Sequence, residues 1–549
     1  MSTMKRLLIS ALLAVAFAML CGAQNVNPTV QVTNDYLTRM SDVKKKGVEM
    51  HVPDSLYDFD YEFDYSVFDS PYKGAYEFSP YTVRMTPSPE EFSLNRFHLR
   101  AGAGYSFHPQ AGFTYAPVNG EKFSFGLFGD ASGFSGKYSG LGSDLRPDSE
   151  TPGFSGHDYS DKVGLGGKWS GRNGTLGFEA GHEGAYADDL SYNSAYGTLR
   201  LSSLANASSF LYDAALHLRY GKDLASGQED GSFMTETDVL ADLSIGPVFR
   251  EKYKFLLDAS LEFDSLQGTM TSDVSTENPG KIFYSIKPHA DFYLGPVRID
   301  AGVKLDHSQA FHVYPDISAE LTLGKEGQVA FYALLTGGDE YNTYHSFKMA
   351  NHRFNALYAD CGYSREKLKG LLGLRGYFLS RVQYELSGGW SSRSSSPLES
   401  ISPLGNECLT YADYNMVFAD ASLSWRSESF DAIARLAYRK TSAVLSEGSD
   451  FPGAYALPVI SGSLQMRYNA GRRFFIGLGA EGRGSRSLLC AEGADIPGFV
   501  DLGAEAEYRF SPRLGFWVKG GNLLCQPLRR SLLFVEKSPS LTVGINLTL

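Results

Sequence analysis

From about residue 94 to the end of the chain, apolar and polar residues alternate in segments of roughly ten residues. The segment "VRIDAGVKLD" (297–306) has apolar residues at its odd positions, while the even positions hold the charged residues Arg298, Asp300, Lys304 and Asp306. A period of two predicts a β-strand with one apolar and one polar face. The pattern therefore predicts a sheet that separates lipid or a core from water.

Two more segments repeat this division. Between 429 and 442 the polar face carries Asp431, Arg435 and Arg439. Between 497 and 510 Val500 and Leu502 share the apolar face, and the polar face carries Asp501, Glu505, Glu507 and Arg509. Both signs of charge lie on these polar faces, so we expect a hydrated wall with cross-strand ion pairs or contacts to a solute.

The connectors alternate between short and long along the chain. "KEG" (325–327) and "SPR" (511–513) are short, whereas 337–366, 394–410 and 524–539 are long. Short turns at one end and long loops at the other are typical of outer-membrane barrels. This alternation predicts 22 strands, near 94–106, 110–118, 122–133, 160–170, 174–186, 192–203, 207–221, 235–248, 252–266, 281–294, 296–307, 313–323, 327–336, 367–378, 381–393, 411–426, 429–442, 456–470, 472–485, 497–510, 513–523 and 540–549.

The fold prediction is therefore all-β: a 22-stranded antiparallel transmembrane β-barrel over 94–549, with a short N-terminal segment, periplasmic or lumenal, before it. Lys5 and Arg6, followed by the apolar run 7–20 and small residues up to Ala23, predict a signal peptide over 1–23. These features predict export to the outer membrane of a Gram-negative envelope, and the bilayer is then the first partner. The net charge of −12 has no basic stripe, which argues against a nucleic-acid partner.

The end of the chain resembles the end of a TonB-dependent receptor. The matching residues are Gly520, Gly521, Asn522 and Leu523 before a long loop, then Pro539 before a final alternating strand. The resemblance implies transport or surface binding of a solute or peptide through a plugged barrel. Residues 24–93 are too few for the plug domain that this family carries, so we expect a barrel without a full plug.

The segment 24–93 contains the acidic aromatic stretch "YDFDYEFDYSVFD" (57–69). If it is extended, Tyr57, Phe59, Tyr61 and Phe63 lie on one face. Asp58, Asp60, Glu62 and Asp64 lie on the other. One interpretation makes this segment a reduced plug whose carboxylates pair with lumen cations. In the other it stays periplasmic and adds to a partner's sheet edge.

The remaining candidate chemistry is sparse. We predict disulfides among four loop cysteines of the exported chain, and adjacency of loops favours Cys361–Cys408 and Cys490–Cys525, with free thiols as the alternative. His345 and His352 share a long loop, but we predict neither a metal site nor a cofactor nor an enzyme. The alternative function is a structural or accessory barrel of an envelope complex, with a surface lipoprotein or periplasmic protein as its partner.

Overall fold

The computed structural model describes the barrel region with gaps. The described residues are 96–105, 107–120, 122–140, 154–188, 190–203, 209–225, 233–249, 253–269, 275–324, 328–354, 361–378, 381–401, 407–443, 454–489, 495–536 and 538–549. They form 23 strands and one short helix, α1 (Tyr344–Ala350). Within these ranges no helix has the length and apolar character that crossing a membrane requires.

The strands follow the predicted order. In chain order they are β1 (Phe97–Tyr105), β2 (Gln110–Asn119), β3 (Phe123–Gly140), β4 (Phe154–Ser170), β5 (Gly174–Ala187), β6 (Leu190–Ser203), β7 (Phe210–Ala225), β8 (Phe233–Phe249), β9 (Tyr253–Thr269), β10 (Ser275–Leu294), β11 (Val297–His307), β12 (Phe311–Leu323), β13 (Val329–Tyr341), β14 (Tyr363–Phe378), β15 (Val382–Ile401), β16 (Glu407–Arg426), β17 (Phe430–Ala443), β18 (Ile460–Ala470), β19 (Phe474–Arg483), β20 (Phe499–Arg509), β21 (Leu514–Gly521), β22 (Phe534–Glu536) and β23 (Ser540–Thr548).

The sheet closes on itself because the first and last strands pair antiparallel, with Ala101 opposite Ile545. Strand β22 stands apart from this wall. It lies in the loop between β21 and β23 and pairs with the far end of β3, where Val535 is opposite Ser139. The other 22 strands form the wall, so the predicted 22-stranded antiparallel barrel is confirmed.

The outer surface of the barrel has the chemistry of a lipid-facing band. Val303, Val500 and Val543 are exposed on it, as their alternation predicts. Trp425 lies opposite Val382, and Trp390 lies eight residues farther along β15 (382 to 390); both rings are exposed. At ~3.3 Å per residue and a tilt of ~40°, they are about 20 Å apart in height, close to the apolar band between the aromatic girdles of such barrels.

Several strands extend beyond their predicted ends on the long-loop side. The predicted loops 222–234, 267–280 and 394–410 are too long, since β7–β8, β9–β10 and β15–β16 continue as paired strands into them. Beyond the bilayer both faces of the wall meet water, and the alternation that marks a strand disappears. The extended strands also contain β-bulges, which lie in β10 between Asn278 and Lys281, in β14 between Glu366 and Leu368, and in β15 between Arg393 and Ser396.

Candidate functional site

The predicted charged residues of β11 lie on the inner face of the wall and pair across strands. Arg298 donates two hydrogen bonds to Asp291 on β10, at 3.0 and 2.8 Å. Asp300 lies 2.8 Å from His289, and that ring lies 3.2 Å from Asp258 on β9. Charged side chains of neighbouring strands thus form ion pairs along the wall, which keeps the wall polar while most of its charges have a partner.

Lys304 and Asp306 lie at the upper end of the same strand. The Lys304 ammonium is 3.1 Å from the Asp306 carboxylate, which is fully buried. Asp306 also accepts a hydrogen bond of 2.7 Å from the backbone N–H of Asp339 on β13. This carboxylate therefore fixes the β13 backbone beside the bulge of β14.

The predicted residues of β17 lie at three heights on the wall. Arg439, the highest, donates to Asp420 on β16 at 2.7 Å. Asp431, the lowest, is in register with an arginine on each neighbouring strand, Arg426 and Arg467. Arg435 is in register with two serines, Ser422 and Ser463.

The predicted residues of β20 all have ion-pair partners. These are Arg530 for Asp501 at 2.5 Å, Arg100 for Glu505, and Arg509 at 3.0 Å with Arg467 at 3.7 Å for Glu507. Arg530 comes from the loop between β21 and β23, so this loop bends inward onto the wall. Sequence reasoning placed these acids and Arg509 on the wall but had no signal for Arg100, Arg467 and Arg530, which come from other parts of the chain.

The largest feature that sequence reasoning missed is the path of loop seven (342–362), which joins β13 to β14. Its described residues cross the mouth of the barrel. Arg353 pairs with Asp188, between β5 and β6, and its guanidinium lies 4.5 Å from the ring of Tyr138 on β3 and 4.4 Å from that of Phe534 on β22. Strands β3 and β14 are eleven apart (14 − 3) in a ring of 22, so the loop reaches the opposite wall.

Helix α1 attaches the first half of this loop to the wall. The Thr343 side chain caps the helix by accepting from the Ser346 N–H at 3.2 Å. Inside the helix, the Tyr344 hydroxyl donates to Asp223 on β7, and the Lys348 ammonium lies 3.2 Å from the same carboxylate. Both Lys348 and Asp223 are almost completely buried. Burial lowers the pKa of Lys348, although Asp223 opposes this change.

His345 fills the adjacent position on the wall. Its backbone N–H donates to Glu236 on β8 at 3.0 Å, and its Nδ1 is 3.2 Å from the hydroxyl of Tyr192. Its Nε2 lies 3.5 Å from Glu183. Burial, assisted by the positive charge of Arg219, lowers the pKa of His345 to about 4 despite this carboxylate. The ring is therefore neutral at pH 7.

An apolar cluster accompanies these polar contacts. Tyr344 and Phe354 of the loop pack with residues from the wall, among them Met234, Leu266 and Phe283, and all five are buried. Each such side chain contributes roughly 1.5–3 kcal/mol when it is buried. The loop is therefore packed as a domain interior is, and it closes part of the mouth.

Glu407, the first residue of β16, joins loop seven to loop eleven (522–539). Its carboxylate accepts from the Asn351 amide of loop seven. It also accepts from the Ser531 hydroxyl at 2.8 Å and the Leu533 N–H at 2.7 Å, both in loop eleven. Because Glu407 is buried, these three donors are its main compensation for lost water.

Several predicted features lie outside the described residues. These include the signal peptide, the whole segment 24–93 with its eight selected residues, and the side chains of Cys408 and Cys490. Of the other cysteines, Cys361 is buried and Cys525 is exposed. Both disulfides stay predictions, although Cys408 belongs to β16 rather than to a loop.

The two histidines of loop seven, His345 and His352, lie apart from each other and from Asp339, the acid at the end of β13. His345 reaches the wall at Tyr192, whereas His352 lies 2.5 Å from Asp158 on β4. Asp339 is engaged by Tyr314 and other neighbours on its own side of the barrel. Among the described residues no group of three or more His, Cys, Asp or Glu side chains is arranged to hold a metal ion.

Solved structures share this architecture. The copper transporter OprC has 12% sequence identity and a TM-score of 0.58, over 83% of this chain and 80% of that chain. The FrpB iron transporter from Neisseria meningitidis has 10% identity and a TM-score of 0.61, over 82% of each chain. The chain has the fold of outer-membrane transport barrels. A ferric enterobactin receptor from Pseudomonas aeruginosa, PfeA, is similar at 10% identity, a TM-score of 0.60 and coverage of 82% and 81%.

These similarities concern the fold. No family model and no curated protein matches the sequence. The names of the three similar proteins are those of transporters or a receptor, and none is that of an enzyme. A 22-stranded barrel with an apolar outer band belongs in the outer membrane, so the predicted location agrees with the fold.

Proposed function

We propose that this protein transports a solute or peptide across the outer membrane through its lumen, in the manner of TonB-dependent receptors but without a full plug domain. The observation that carries the proposal is the closure of the mouth by loop seven. Ion pairs and hydrogen bonds to the lumen wall hold the loop together with its apolar packing, and water or a ligand can replace the polar contacts. A closure that can be released in this way is expected in a barrel through whose lumen a solute passes.

The charged wall supports the same proposal. Cations and carboxylates pair on its inner face from β9 to β11 and again on β20, so a hydrated solute that enters meets both donors and acceptors. We propose that residues 24–93 occupy this lumen as a reduced plug, with Asp58, Asp60, Glu62 and Asp64 facing inner cations such as Arg298, Lys304, Arg435 and Arg439. Surface binding would then begin at the loops that cover the mouth.

The alternative is an accessory barrel of an envelope complex. The apolar packing beneath loop seven favours it, because a mouth closed as firmly as a protein core suits a scaffold. In that case 24–93 docks a periplasmic partner or the loops bind a surface lipoprotein. Co-purification with other envelope proteins that survives detergent extraction would support this role.

Planar-bilayer recordings test the transport proposal. We expect low conductance from the intact protein and distinct open events after deletion of 24–93 combined with Lys348→Met, which weakens the attachment of loop seven. A protein that stays silent in this combined variant, and that shows no ligand-dependent change, does not transport. Its partners should then be sought by co-purification.

A further inference from the structure

A cavity of about 330 Å³ lies beside the β11–β12 turn, on the side of the barrel from which loop seven departs. This volume is at the lower end of the range for small-molecule sites, roughly 300–1,000 Å³. Hydroxyl groups dominate its lining. They belong to Ser308, Ser364, Ser394, Ser395, Tyr363 and Tyr411.

Two β-bulges border this cavity. At the same height of the wall, β14 has one extra residue against both β13 and β15 near Lys367, and β15 has one extra residue against β16 between Arg393 and Ser396, so the alternation of side chains changes phase there. Asp339 of β13 is buried beside the bulge of β14, whereas unbroken alternation from the exposed Phe331 and Leu335 would turn it outward. In the bulge of β15, Ser395 has a φ of +53°, a left-handed conformation that is costly for serine.

Neighbouring side chains hold these bulges in place. The Asp413 carboxylate accepts from the Ser395 N–H at 2.7 Å and from the Ser394 hydroxyl at 2.9 Å. Bulges and strained residues are concentrated at functional sites, and here they come together on one cavity.

Among the described residues of the lining Asp339 is the only carboxylate, and it has no capacity left for a ligand. Asp339 accepts from the Ser308 hydroxyl and from His312, both at 2.8 Å, through one oxygen. Its other oxygen accepts from the Tyr314 hydroxyl at 2.5 Å and from Arg365 at 3.1 Å. Two donors on each oxygen saturate a carboxylate, so Asp339 orients its neighbours.

The groups that remain for a ligand are mostly donors. Arg365 uses its Nε on Asp339, its side chain is one-third exposed, and its Nη1 has no partner among the described residues. Lys281 is the second cation of the lining, and its ammonium donates one of its three hydrogens to the Cys361 carbonyl. Within the described chain the hydroxyls of Ser364 and Ser395 make no hydrogen bond. With two cations and one saturated carboxylate, the cavity favours a ligand that is anionic and rich in hydroxyl groups.

We propose that this cavity binds a carboxylated sugar, with Arg365 and Lys281 on the carboxylate and the serine hydroxyls on the sugar hydroxyls. The rings of Tyr363 and Tyr411 offer apolar faces to the C–H side of the sugar ring. The proposal deepens the proposed transport function and rests on it, since it names the class of solute that is recognised at the mouth.

Calorimetric titration of the full-length protein in detergent tests this inference with three probes. Glucuronate carries both features, glucose only the hydroxyls and acetate only the carboxylate. We expect saturable binding of glucuronate and at least about tenfold weaker binding of glucose and of acetate. Arg365→Gln and Lys281→Gln should each weaken glucuronate binding by about tenfold or more, as the loss of a charge-assisted hydrogen bond implies.

Arg375→Gln is the matched control. It removes another inward arginine from β14, where Arg375 pairs with Glu320 at 2.8 Å, away from the cavity. Its glucuronate affinity should equal that of the wild type, and a thermal melt followed by circular dichroism checks that each variant is folded. Equal affinity for glucuronate and acetate, or undiminished binding by both cavity variants, overturns the assignment. Conductance without glucuronate binding refutes only the ligand class, whereas binding without conductance refutes only transport.

Discussion

The ammonium of Lys348 on loop seven lies 3.2 Å from the carboxylate of Asp223 on β7, and neither side chain is reached by water. The charge of each residue is compensated mainly by the other, together with hydrogen bonds from the Tyr344 hydroxyl to Asp223 and from Lys348 to the Phe354 carbonyl. A buried pair of this kind contributes little net stability, but removing one partner is costly because an unpaired charge stays behind.

Lys348→Met should therefore release loop seven. The buried charge of Asp223 would lose its partner, at a cost of about 3–5 kcal/mol to the closed loop. Hydrogen–deuterium exchange of residues 342–354 should accelerate by about a hundredfold or more if loop opening limits exchange. Lys254→Met is the control, because Lys254 pairs with Asp291 at 3.7 Å on the wall and does not touch the loop.

A second substitution checks the cause of this release. In Lys348→Met with Asp223→Asn the buried charge is gone, while the amide oxygen introduced at position 223 would still accept from Tyr344. Exchange in loop seven should return most of the way toward the wild-type rate. An additive or larger acceleration in the double variant would show that Lys348 acts by packing rather than by charge.

Glu407→Leu should loosen loops seven and eleven together. The substitution leaves three half-buried donors without an acceptor, and each costs up to about 1–3 kcal/mol. Exchange should therefore rise in both 342–354 and 522–536, although these segments are distant in sequence. Glu407→Gln retains an acceptor and should have a smaller effect; a change confined to one loop would contradict the link.

Acidification should weaken the contribution of His345 to the closure of the mouth. His345 has a pKa of about 4 in the closed loop and an ordinary value near 6.5 when released, so released loops gain a proton first as the pH falls. This contribution of His345 falls by up to ~1.4 kcal/mol per pH unit between about 6.5 and 4. The groups that face the ring are Glu183, Glu236, Tyr192, Arg219 and Lys162.

This pH dependence is measurable as exchange in loop seven at pH 7.5 and pH 5, normalised to an unstructured peptide at each pH. Exchange should accelerate less between pH 7.5 and pH 5 in His345→Gln than in the wild type. His307→Gln should behave as the wild type, since His307 stacks on Tyr284 at 4.7 Å and is not part of loop seven. An equal or larger acceleration at pH 5 in His345→Gln would contradict the sign.

Neutralising the acidic stretch should open the lumen. Replacing Asp58, Asp60 and Asp64 by Asn and Glu62 by Gln removes four negative charges from the segment that we propose as a reduced plug. Its attraction to the inner cations would fall, and conductance in planar bilayers should rise when loop seven is also released by Lys348→Met. Unchanged conductance would favour a periplasmic position for the segment.

The architecture was predictable from sequence, and three of the places where prediction stopped share a cause. Alternation correctly identified the 22 wall strands, but it ended β13 at 336, began β14 at 367 and ended β15 at 393. The bulges of β14 and β15 lie at these positions. A bulge shifts the side-chain phase by one residue, so a period-two pattern breaks while the strand continues. The same break hid the cavity that the bulges border.

The closure of the mouth was not predictable for a different reason. Tyr344, His345 and Lys348 have helical spacing, but the partner of Lys348 is Asp223, more than a hundred residues earlier. Glu407 likewise gave no local signal, because its three donors belong to two separate loops. Long-range polar contacts in loops leave no periodicity, so one sequence alone does not reveal them.

Strand β22 has a consequence for the order of assembly. It comes from the last loop of the chain and covers the open edge of β3, which is almost four hundred residues earlier. Contacts of such long range form late, since a large loop must close first. We expect the wall strands to pair before β22 pairs with β3. A nascent barrel then passes through a stage in which the end of β3 is an unpaired strand edge, accessible to a chaperone or a neighbouring chain.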